Sequence, residues 1–335
     1  MQIGRWANIR ADGRAAWRGA LAAMAVSVVM VFVFVWLFGA ALHKPEPHGV
    51  PVGFVGPSSV AETVGGAVDM HAPGAFTLVT YGSVDEARKG IEERDIAGAL
   101  LVGSGQPRIL VASAGGQAAS TAISGAFSAL AEAFGQPAAV EDVLPLPGSD
   151  SRGLVPFFLV LGVSVSAFLF QILAREGMGG RRLLDRLGCM LVFAVVDGVA
   201  AALAVGIVIG FDSYWPLAGV CVLLALAVTA ATAASCRLFG RAGVGVAGLV
   251  VILLGNASSG SVIGSAFLPQ PFRWLSPILP AGSALEAVRS VLYFGGAGAG
   301  WRLATLALWV AGSFAILAGA ALWRIRSTRS AEVTA

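Results

Sequence analysis

Six long apolar stretches, separated by polar segments, dominate the pattern of hydrophobic and polar positions along this 335-residue chain. An α-helix rises about 1.5 Å per residue, so a stretch of about 20 residues crosses the ~30 Å hydrocarbon core of a bilayer. Helices are predicted because lipid offers backbone N–H and C=O groups no hydrogen-bond partner. The sequence therefore predicts an α-helical polytopic membrane protein with six transmembrane helices. They cover residues 19–42, 154–174, 187–211, 216–236, 243–263 and 303–323.

Residues 43–152, between the first two stretches, alternate between strand and helix patterns and predict a small α/β domain with a mixed sheet. Ser83 and Glu86 have the capping-box spacing that begins a helix. Three prolines, at positions 137, 145 and 147, favour an extended linker into the second span. Strands are predicted at 50–55, 76–81, 97–102 and 108–112, and helices at 58–68, 84–94 and 117–134.

After the block of helices 2–5 at 153–263, residues 264–300 are too polar and too rich in proline to cross the membrane as one helix. A short helix is predicted at 281–294. We expect this segment to dip partly into the membrane and return, which requires protein or water around its non-helical backbone. The alternative is an ordinary external loop with a surface helix. The sixth helix and a cytoplasmic tail follow at 301–335.

The charged residues separate by compartment. Four predicted cytoplasmic segments together carry a balance of +9, whereas residues 43–152 carry −6. Basic loops stay on the cytoplasmic side of a membrane. Both termini are therefore predicted to be cytoplasmic and the α/β domain extracytoplasmic. The basic residues of the four segments are Arg5, Arg10, Arg14, Arg18, Arg175, Arg181, Arg182, Arg186, Arg237, Arg241, Arg324, Arg326 and Arg329.

The start of the chain, residues 1–18, has apolar and basic positions at helical spacing. It predicts either an amphipathic helix on the inner membrane surface, with arginines at anionic lipid headgroups, or a flank that only fixes topology. The apolar run at 19–42 exceeds the length of a signal-peptide core, so a retained anchor is expected. A small-residue site at Gly39, Ala40 and Ala41 leaves cleavage as the alternative.

Composition supports the membrane class: 57% of residues are hydrophobic and the mean hydropathy is +0.81. Cys189, Cys221 and Cys236 lie in or at the end of the third and fourth stretches, so no disulfide framework is expected in the outside domain. Arginine outnumbers lysine twenty to two, which favours a GC-rich bacterial genome and hence a bacterial plasma membrane. Membrane lipid is an expected partner, and nucleic acid is not.

The chain offers little for catalysis. Its three histidines, His43, His48 and His71, accompany no nucleophile pattern and no metal-ligand spacing, so neither a catalytic nor a metal site is predicted. The sequence also lacks the Gly-x-x-x-x-Gly-Lys-Ser/Thr phosphate loop, so no ATP site is expected in this chain.

Three stretches resemble the ABC-2 type permease superfamily, which includes the bacterial YhgE/Pip-like membrane proteins. They are residues 84–102, residues 111–120, and residues 253–260 with 272–283 and 292–296. The resemblance implies one span, an extracytoplasmic domain and five further spans. It also implies a second permease copy or paralogue, and a separate ABC ATPase subunit that binds the ATP.

The resemblance further implies a short coupling helix between the second and third spans, where the ATPase would bind. The matching residues are Arg175, Glu176, Arg181, Arg182, Leu183 and Leu184. The two leucines supply an apolar face and the arginines pair with acidic groups; alternatively, the arginines only signal topology.

Polar residues within the spans are candidates for a translocation path. Asp197 lies in the middle of the third span, where a carboxylate costs about 2.5–3.5 kcal/mol, so a hydroxyl or amide partner is expected. Ser164, Ser166, Thr229, Thr232 and Gln171 are candidates for that partner. Asn256 and Ser258 lie at the outer end of the fifth span, where they either line a gate or satisfy a broken helix end.

The favoured interpretation is the permease subunit of an ABC-2 type exporter. It would form the path as a dimer powered by a separate ATPase, and it would not be an enzyme itself. The alternative is a non-transporting envelope scaffold or surface receptor, with the outside domain as the working part. An ion-coupled carrier is weaker, because such carriers place several ionisable residues in their spans.

Overall fold

The structure, a computed structural model, describes residues 3–177, 182–261 and 263–334. Within these residues, four helical segments are long and apolar enough to cross a membrane: Val155–Gly177, Leu183–Ile209, Tyr214–Ala257 and Ala299–Trp323. A shorter apolar helix, Ser27–Leu42, completes α1 (Ile3–Leu42), which runs as one continuous helix. Large apolar side chains cover the outside of these helices; Phe32 is 69% exposed and Ile207 78%. So much exposed apolar surface indicates a membrane protein.

Helix α7 (Tyr214–Phe239) is the centre of the helical block, which consists of α5 (Val155–Gly177), α6 (Leu183–Ile209), α7, α11 (Pro280–Tyr293) and α12 (Ala299–Thr334). Helices α5, α6, α11 and α12 all pack against α7. Most of the apolar window of α7 and its continuation is buried, whereas α6 and α12 expose most of theirs. A helix that is apolar all round belongs in such a central position.

The segment Tyr214–Ala257 is two helical arms joined by a tight turn, Gly240–Ala242. Gly240 has φ +60°, and a Cβ on Gly243 would lie 2.3 Å from the carbonyl oxygen of Ser235, so the chain folds back on α7 at this turn. The second arm comprises α8 (Gly243–Ala247), a π-helical stretch (Gly248–Leu254) and α9 (Gly255–Ala257). The helix predicted at 243–263 therefore ends early, at Ala257. A short helix, α10 (Phe272–Leu275), follows before α11.

The α/β lobe contains a five-stranded mixed sheet and three helices. The strands are β1 (Val50–Val55), β2 (Phe76–Thr80), β3 (Gly98–Leu101), β4 (Arg108–Val111) and β5 (Ala139–Asp142), and the helices are α2 (Ser58–His71), α3 (Val84–Glu92) and α4 (Gln117–Ala133). The strand order is β2-β1-β3-β4-β5. Pairs β1–β2, β1–β3 and β4–β5 are parallel, whereas β3–β4 is antiparallel; Val52 lies opposite Leu78 on one side and Gly98 on the other.

Alternate strand residues point to opposite faces of the sheet, and apolar residues occupy both faces. Helices therefore cover both faces. Phe54 and Leu100 face α2 and α4, whereas Ala99 and Leu110 face α3. The predicted mixed sheet is confirmed, and Ser83 caps α3 by accepting a hydrogen bond from the Glu86 amide. The predicted extended linker is wrong in part, since β5 pairs along β4 within it. A strand flanked by prolines carries too short an apolar pattern to be recognised from the sequence.

The α/β lobe and the arginine-rich helix ends lie at opposite ends of the helical block. At the lobe end, Ser149 donates a hydrogen bond to the carbonyl of Ile209, the last residue of α6. At the other end, Leu183 packs with Leu317, and Arg237 donates to the carbonyl of Ala320. The charge asymmetry of the sequence thus corresponds to two ends of one structure.

Helices α6 and α7 approach each other closely at Gly198, and this contact supports a stability prediction. A Cβ at Gly198 would lie 2.6 Å from the backbone nitrogen of Val222. We expect Gly198→Ala to lower the free energy of unfolding by about 1–3 kcal/mol, because the two backbones must separate. The measurement is thermal unfolding of the detergent-purified protein.

Gly188 on the same helix is the matched control, because a Cβ there meets nothing within 4 Å. Gly188→Ala is expected to be neutral or to stabilise the protein by up to about 1 kcal/mol through helix propensity. Equal effects of the two substitutions would contradict the close approach.

Candidate functional site

The proposed ATPase-coupling residues lie at the end of the block opposite the lobe. Arg175 and Glu176 are in the last turn of α5, Arg182 precedes α6, and Arg181 lies outside the described residues. The separate coupling helix expected there is not found in the described residues, because Leu183 begins α6 itself. Helix α6 continues without a break from Leu183 into the apolar span.

The two leucines of that first turn face different surroundings. Leu183 packs on the cluster formed by Met190, Ala233 and Leu317, whereas Leu184 is 78% exposed. The apolar face expected for both leucines is therefore reduced to Leu184, flanked by exposed Arg182. A partner protein at this end would meet one leucine within a basic surface.

Asp197 has the hydroxyl partner expected from the sequence. Ser166 of α5 donates a hydrogen bond from its Oγ to Oδ1 of Asp197 on α6, at 2.6 Å. The other carboxylate oxygen, Oδ2, is buried without a hydrogen-bond partner among the described residues. A carboxylate oxygen that is removed from water without a hydrogen bond costs free energy. Oδ2 can therefore accept a proton or a hydrogen bond from another group.

Gln171, Asn256 and Ser258 do not join Asp197 in one polar track. Gln171 is 3% exposed and lines a small cavity with Arg175 and Arg186, towards the arginine-rich end. Asn256 donates from Nδ2 to the carbonyl of Ile252 within its own helix, at 2.8 Å. No hydrogen bond in the described part of the chain links these groups to Asp197.

Asn256 and Ser258 instead occupy the place where a helix loses its regular form. The π-helical stretch Gly248–Leu254 precedes them, and such wide turns leave carbonyl groups poorly paired. Asn256 satisfies one of those carbonyls, while its own Oδ1 and the Ser258 hydroxyl are buried without a partner among residues 3–177, 182–261 and 263–334. This geometry favours the interpretation in which Asn256 satisfies a broken helix end. The Asn256 Oδ1 and the Ser258 hydroxyl can still form hydrogen bonds beside α11.

The strongest polar site in the described residues is the junction, which we define as the contact between the α/β lobe and α11 around Arg94 and Glu286. Helix α11 lies where the sequence predicts a short helix, but it is buried within the helical block, so an ordinary surface helix is excluded. Arg94 follows α3 and reaches across the junction. Its guanidinium donates to Oε2 of Glu286 at 2.6 Å, to the carbonyl of Glu286 at 3.0 Å and to the hydroxyl of Ser290 at 2.5 Å.

A second arginine completes the charge network from within α11. Arg289 is 3% exposed, and its guanidinium donates to the other oxygen of Glu286, Oε1, at 3.0 Å. It also donates to the carbonyl oxygen of Ser261. One carboxylate therefore holds two guanidinium groups, one from each side of the junction. Arg94 also lies over the ring of Phe294, with 4.9 Å between Cζ and the ring centroid.

The backbone is strained where it meets this network. Among the described residues, Arg94 (φ +67°) and Ser261 (φ +45°) are the two non-glycine residues with positive φ, and both bind the network. Such conformations cost about 1–3 kcal/mol each and persist only when surrounding contacts hold them. An ion pair anchors Arg94, and a hydrogen bond from Arg289 anchors Ser261, in these otherwise unfavourable conformations.

The electrostatics of Glu286 are governed by its partners. Burial raises its pKa, but Arg289, Arg94 and Arg302 lower it by more, so the pKa lies below its ordinary value of 4.5. The ion pairs of Glu286 therefore contribute their full stabilisation of the folded protein above pH 4.5. That contribution is lost as the pH falls through the lowered pKa that Glu286 has in the folded state.

Tyr293 connects the same helix to the start of α5. Its hydroxyl donates to Oδ2 of Asp150 at 2.8 Å, and Asp150 also accepts hydrogen bonds from the amides of Leu154 and Val155. Asp150 thus satisfies the free N–H groups at the start of α5, where a negative charge is favourable. Sequence reasoning missed Asp150, Tyr293 and Arg94; the one local signal was the Glu286–Arg289 spacing, typical of a helical ion pair.

A cavity of about 300 Å³ lies at the junction, beneath the edge of the sheet where β1 and β3 begin. Arg94, Glu286 and Arg302 contribute charged groups to its wall, and the rest of the wall is largely apolar. In the described residues, no group of three or more His, Cys, Asp or Glu side chains is arranged to hold a metal ion.

The fold and the junction define a class: a helical membrane protein whose α/β lobe is fixed to a buried helix by charged side chains. A scan against protein-family models and searches of curated proteins and of solved structures returned no match for the chain.

Substitutions at the junction should rank by how much charge each leaves uncompensated. We expect Glu286→Gln to destabilise most, because Arg94 and Arg289 then face each other unpaired. We expect Arg94→Gln to cost on the order of 3 kcal/mol, the usual loss when one partner of a buried pair is removed. Thermal unfolding in detergent at neutral pH measures both.

Lys89, on helix α3 beside Arg94, supplies the control. It pairs with Glu93 at 3.6 Å, with 70% and 54% of the two side chains exposed. An exposed pair is worth little, so Lys89→Gln should change stability by at most about 0.5 kcal/mol. If the three variants unfold at the same temperature, the junction does not fix the lobe to the helices.

Proposed function

We propose that this protein is the permease subunit of an ABC-2 type exporter in a bacterial plasma membrane, with both termini cytoplasmic and the lobe outside. A scaffold needs only one apolar helix to stay in the membrane. This chain instead has four helical segments of membrane length around a buried helix with Glu286 and Arg289. Charged and polar groups in such surroundings are expensive and characteristic of substrate or ion pathways. That burial of charge is the observation that carries the proposal.

The six-span topology belongs to this proposal. The two arms of Tyr214–Ala257 count as two crossings, and α1 supplies the first. Helix α11 and the turns before it then form a segment that enters from the lobe side and returns. The basic helix ends at the opposite side satisfy the positive-inside rule.

In this mechanism the chain does not hydrolyse ATP. A separate ATPase binds the arginine-rich end, at Arg182 and Leu184, and a second copy of the chain or a paralogue completes the conduit. Movement of α5 and α6 transmits to the lobe end through Asp150, Tyr293 and the junction. Asp197 and its free oxygen lie between these two helices and would meet a transported molecule or a proton.

A surface receptor or scaffold is the second candidate, favoured by one feature of the lobe. A largely apolar cleft of about 270 Å³ lies between α2 and α4, lined among others by Val60, Leu130 and Phe134. Phe134 is 58% exposed there. A receptor would use this cleft, whereas an exporter would not require it.

The proposed orientation is tested by labelling single cysteines in a chain whose native Cys189, Cys221 and Cys236 are replaced. Ser104 is exposed in the turn between β3 and β4, and Leu184 is exposed at the opposite end. We expect a membrane-impermeant maleimide to label Ser104→Cys in intact right-side-out vesicles. Leu184→Cys should react only after permeabilisation. The reverse pattern would place the lobe in the cytoplasm and contradict the proposal.

The ATPase partner is tested by capture of the tagged full-length chain from its native membrane in mild detergent. We expect a co-purified subunit bearing the phosphate-loop sequence, identified by mass spectrometry. Leu184→Asp should reduce its recovery about tenfold or more without changing thermal stability, because Leu184 is exposed and its loss leaves the core intact.

Met70→Asp on the lobe is the matched control, since Met70 is 79% exposed at the other end. It should leave ATPase recovery unchanged. Absence of any such ATPase from the wild-type capture, with the lobe confirmed outside, would favour the receptor over the exporter.

A further inference from the structure

The cavity at the junction is positively charged. Arg94, Arg289 and Arg302 act on a single carboxylate, that of Glu286. Its two oxygens are already taken, one by Arg94 and the other by Arg289. The other buried acid near α11, Asp150, is occupied by Tyr293 and the amides at the start of α5. The charge of Arg302 is therefore not neutralised within the junction.

Arg302 is a half-buried cation in the first turns of α12, and it lines the cavity. It forms no hydrogen bond or ion pair with the residues that the structure describes. A guanidinium group partly removed from water favours an anionic partner, and its planar donors match a carboxylate or phosphate. The charged part of the cavity is thus complementary to an anion.

The remaining wall would favour an apolar group beside that anion. Burial of alkyl or aromatic surface there removes it from water and so stabilises a complex. The volume of about 300 Å³ is at the small end of the range for small-molecule sites. The larger apolar lining residues are Val50, Ile91, Ile96, Ile263, Phe267 and Phe294.

We propose that this cavity binds an amphipathic anion: one carboxylate or phosphate head between Arg302 and Arg94, with a short apolar chain against the lobe. The head does not displace Glu286, because Arg302 has donors to spare and Arg289 keeps its own ion pair. The site joins strands of the lobe to α11 and α12, so an occupant contacts both parts of the protein. Binding requires only this geometry and does not depend on whether the chain transports a substrate.

The test measures binding to the purified full-length chain in maltoside detergent by isothermal titration calorimetry. The probes are hexyl phosphate, hexanol and inorganic phosphate. We expect hexyl phosphate to bind at least about tenfold more tightly than either fragment, because only it uses both the charge and the apolar wall. Equal binding of hexanol, or of inorganic phosphate, would overturn the proposal without reference to any variant.

Two variants then locate the site. Arg302→Gln should weaken hexyl phosphate about tenfold or more, whereas Arg152→Gln, at an exposed position before α5, should leave it unchanged. Ala119→Phe fills the cavity from α4 without altering a charge and should also abolish binding. Thermal unfolding confirms that each variant is folded. Full affinity in folded Arg302→Gln or Ala119→Phe protein would overturn the assignment.

The source of the anion is separated by a second arm in nanodiscs. Weaker hexyl phosphate binding in phosphatidylglycerol nanodiscs than in phosphatidylcholine nanodiscs would show that the anionic lipid competes for the site. That result would assign the site to an anionic lipid headgroup. Equal hexyl phosphate affinity in both kinds of disc would assign it to a soluble amphipathic anion. Either result supports the site. If no ATPase is captured but hexyl phosphate still binds, the exporter proposal fails and the anion-binding proposal is unaffected.

Discussion

The buried carboxylate of Glu286 is the constraint on which the arrangement of the molecule depends. A carboxylate away from water must be paired, because uncompensated burial costs several kcal/mol. Here one guanidinium comes from α11 and the other from the α/β lobe. The ion pair between Arg94 and Glu286 therefore fixes the lobe against the helical block. Glu286 also pairs with Arg289 within α11, so Arg94 is the partner that links the two parts of the protein.

Hydrophobic packing supports the same attachment. Phe267 belongs to the segment between the helices, yet its side chain is buried in the core of the lobe with Phe76 and Phe127. The amide of His48 also donates to the carbonyl of Ala266. Burial of Phe267 thus adds non-directional apolar contact to the directional ion pairs of the junction. The lobe is consequently part of the membrane protein's core and not a domain on a free linker.

Features that depend on neighbouring residues were predictable from the sequence. The strand Val50–Val55, the cap at Ser83 and the helix near residues 281–294 follow from local patterns of β-branched, capping and apolar residues. A hydroxyl partner for Asp197 followed from the cost of a carboxylate among apolar helices, and Ser166 supplies it. In each case the physical cause lies within a few residues or within the membrane environment itself.

The junction was not predictable for a physical reason. Arg94 and Glu286 are 192 residues apart in the chain, and nothing in their local sequence specifies the pairing. The sequence does not distinguish Leu183 from Leu184 in the first turn of α6, whereas tertiary packing partly buries Leu183 and leaves Leu184 exposed. The short strand β5 depends in the same way on the neighbouring edge of β4. Long-range contacts decide these features.

The contact between α1 and the rest of the protein determines the order in which the chain can assemble. Leu37 and Ala41 are buried against Leu253 and Ala257, while the side chains from Val28 to Phe32 are exposed. Those partners are synthesised more than two hundred residues later. Protein synthesis proceeds at about 5–20 residues per second, so these partners follow α1 by on the order of ten to forty seconds. Until then α1 lacks the residues that bury Leu37 and Ala41, so the packing of α1 is among the last contacts of the fold to be completed.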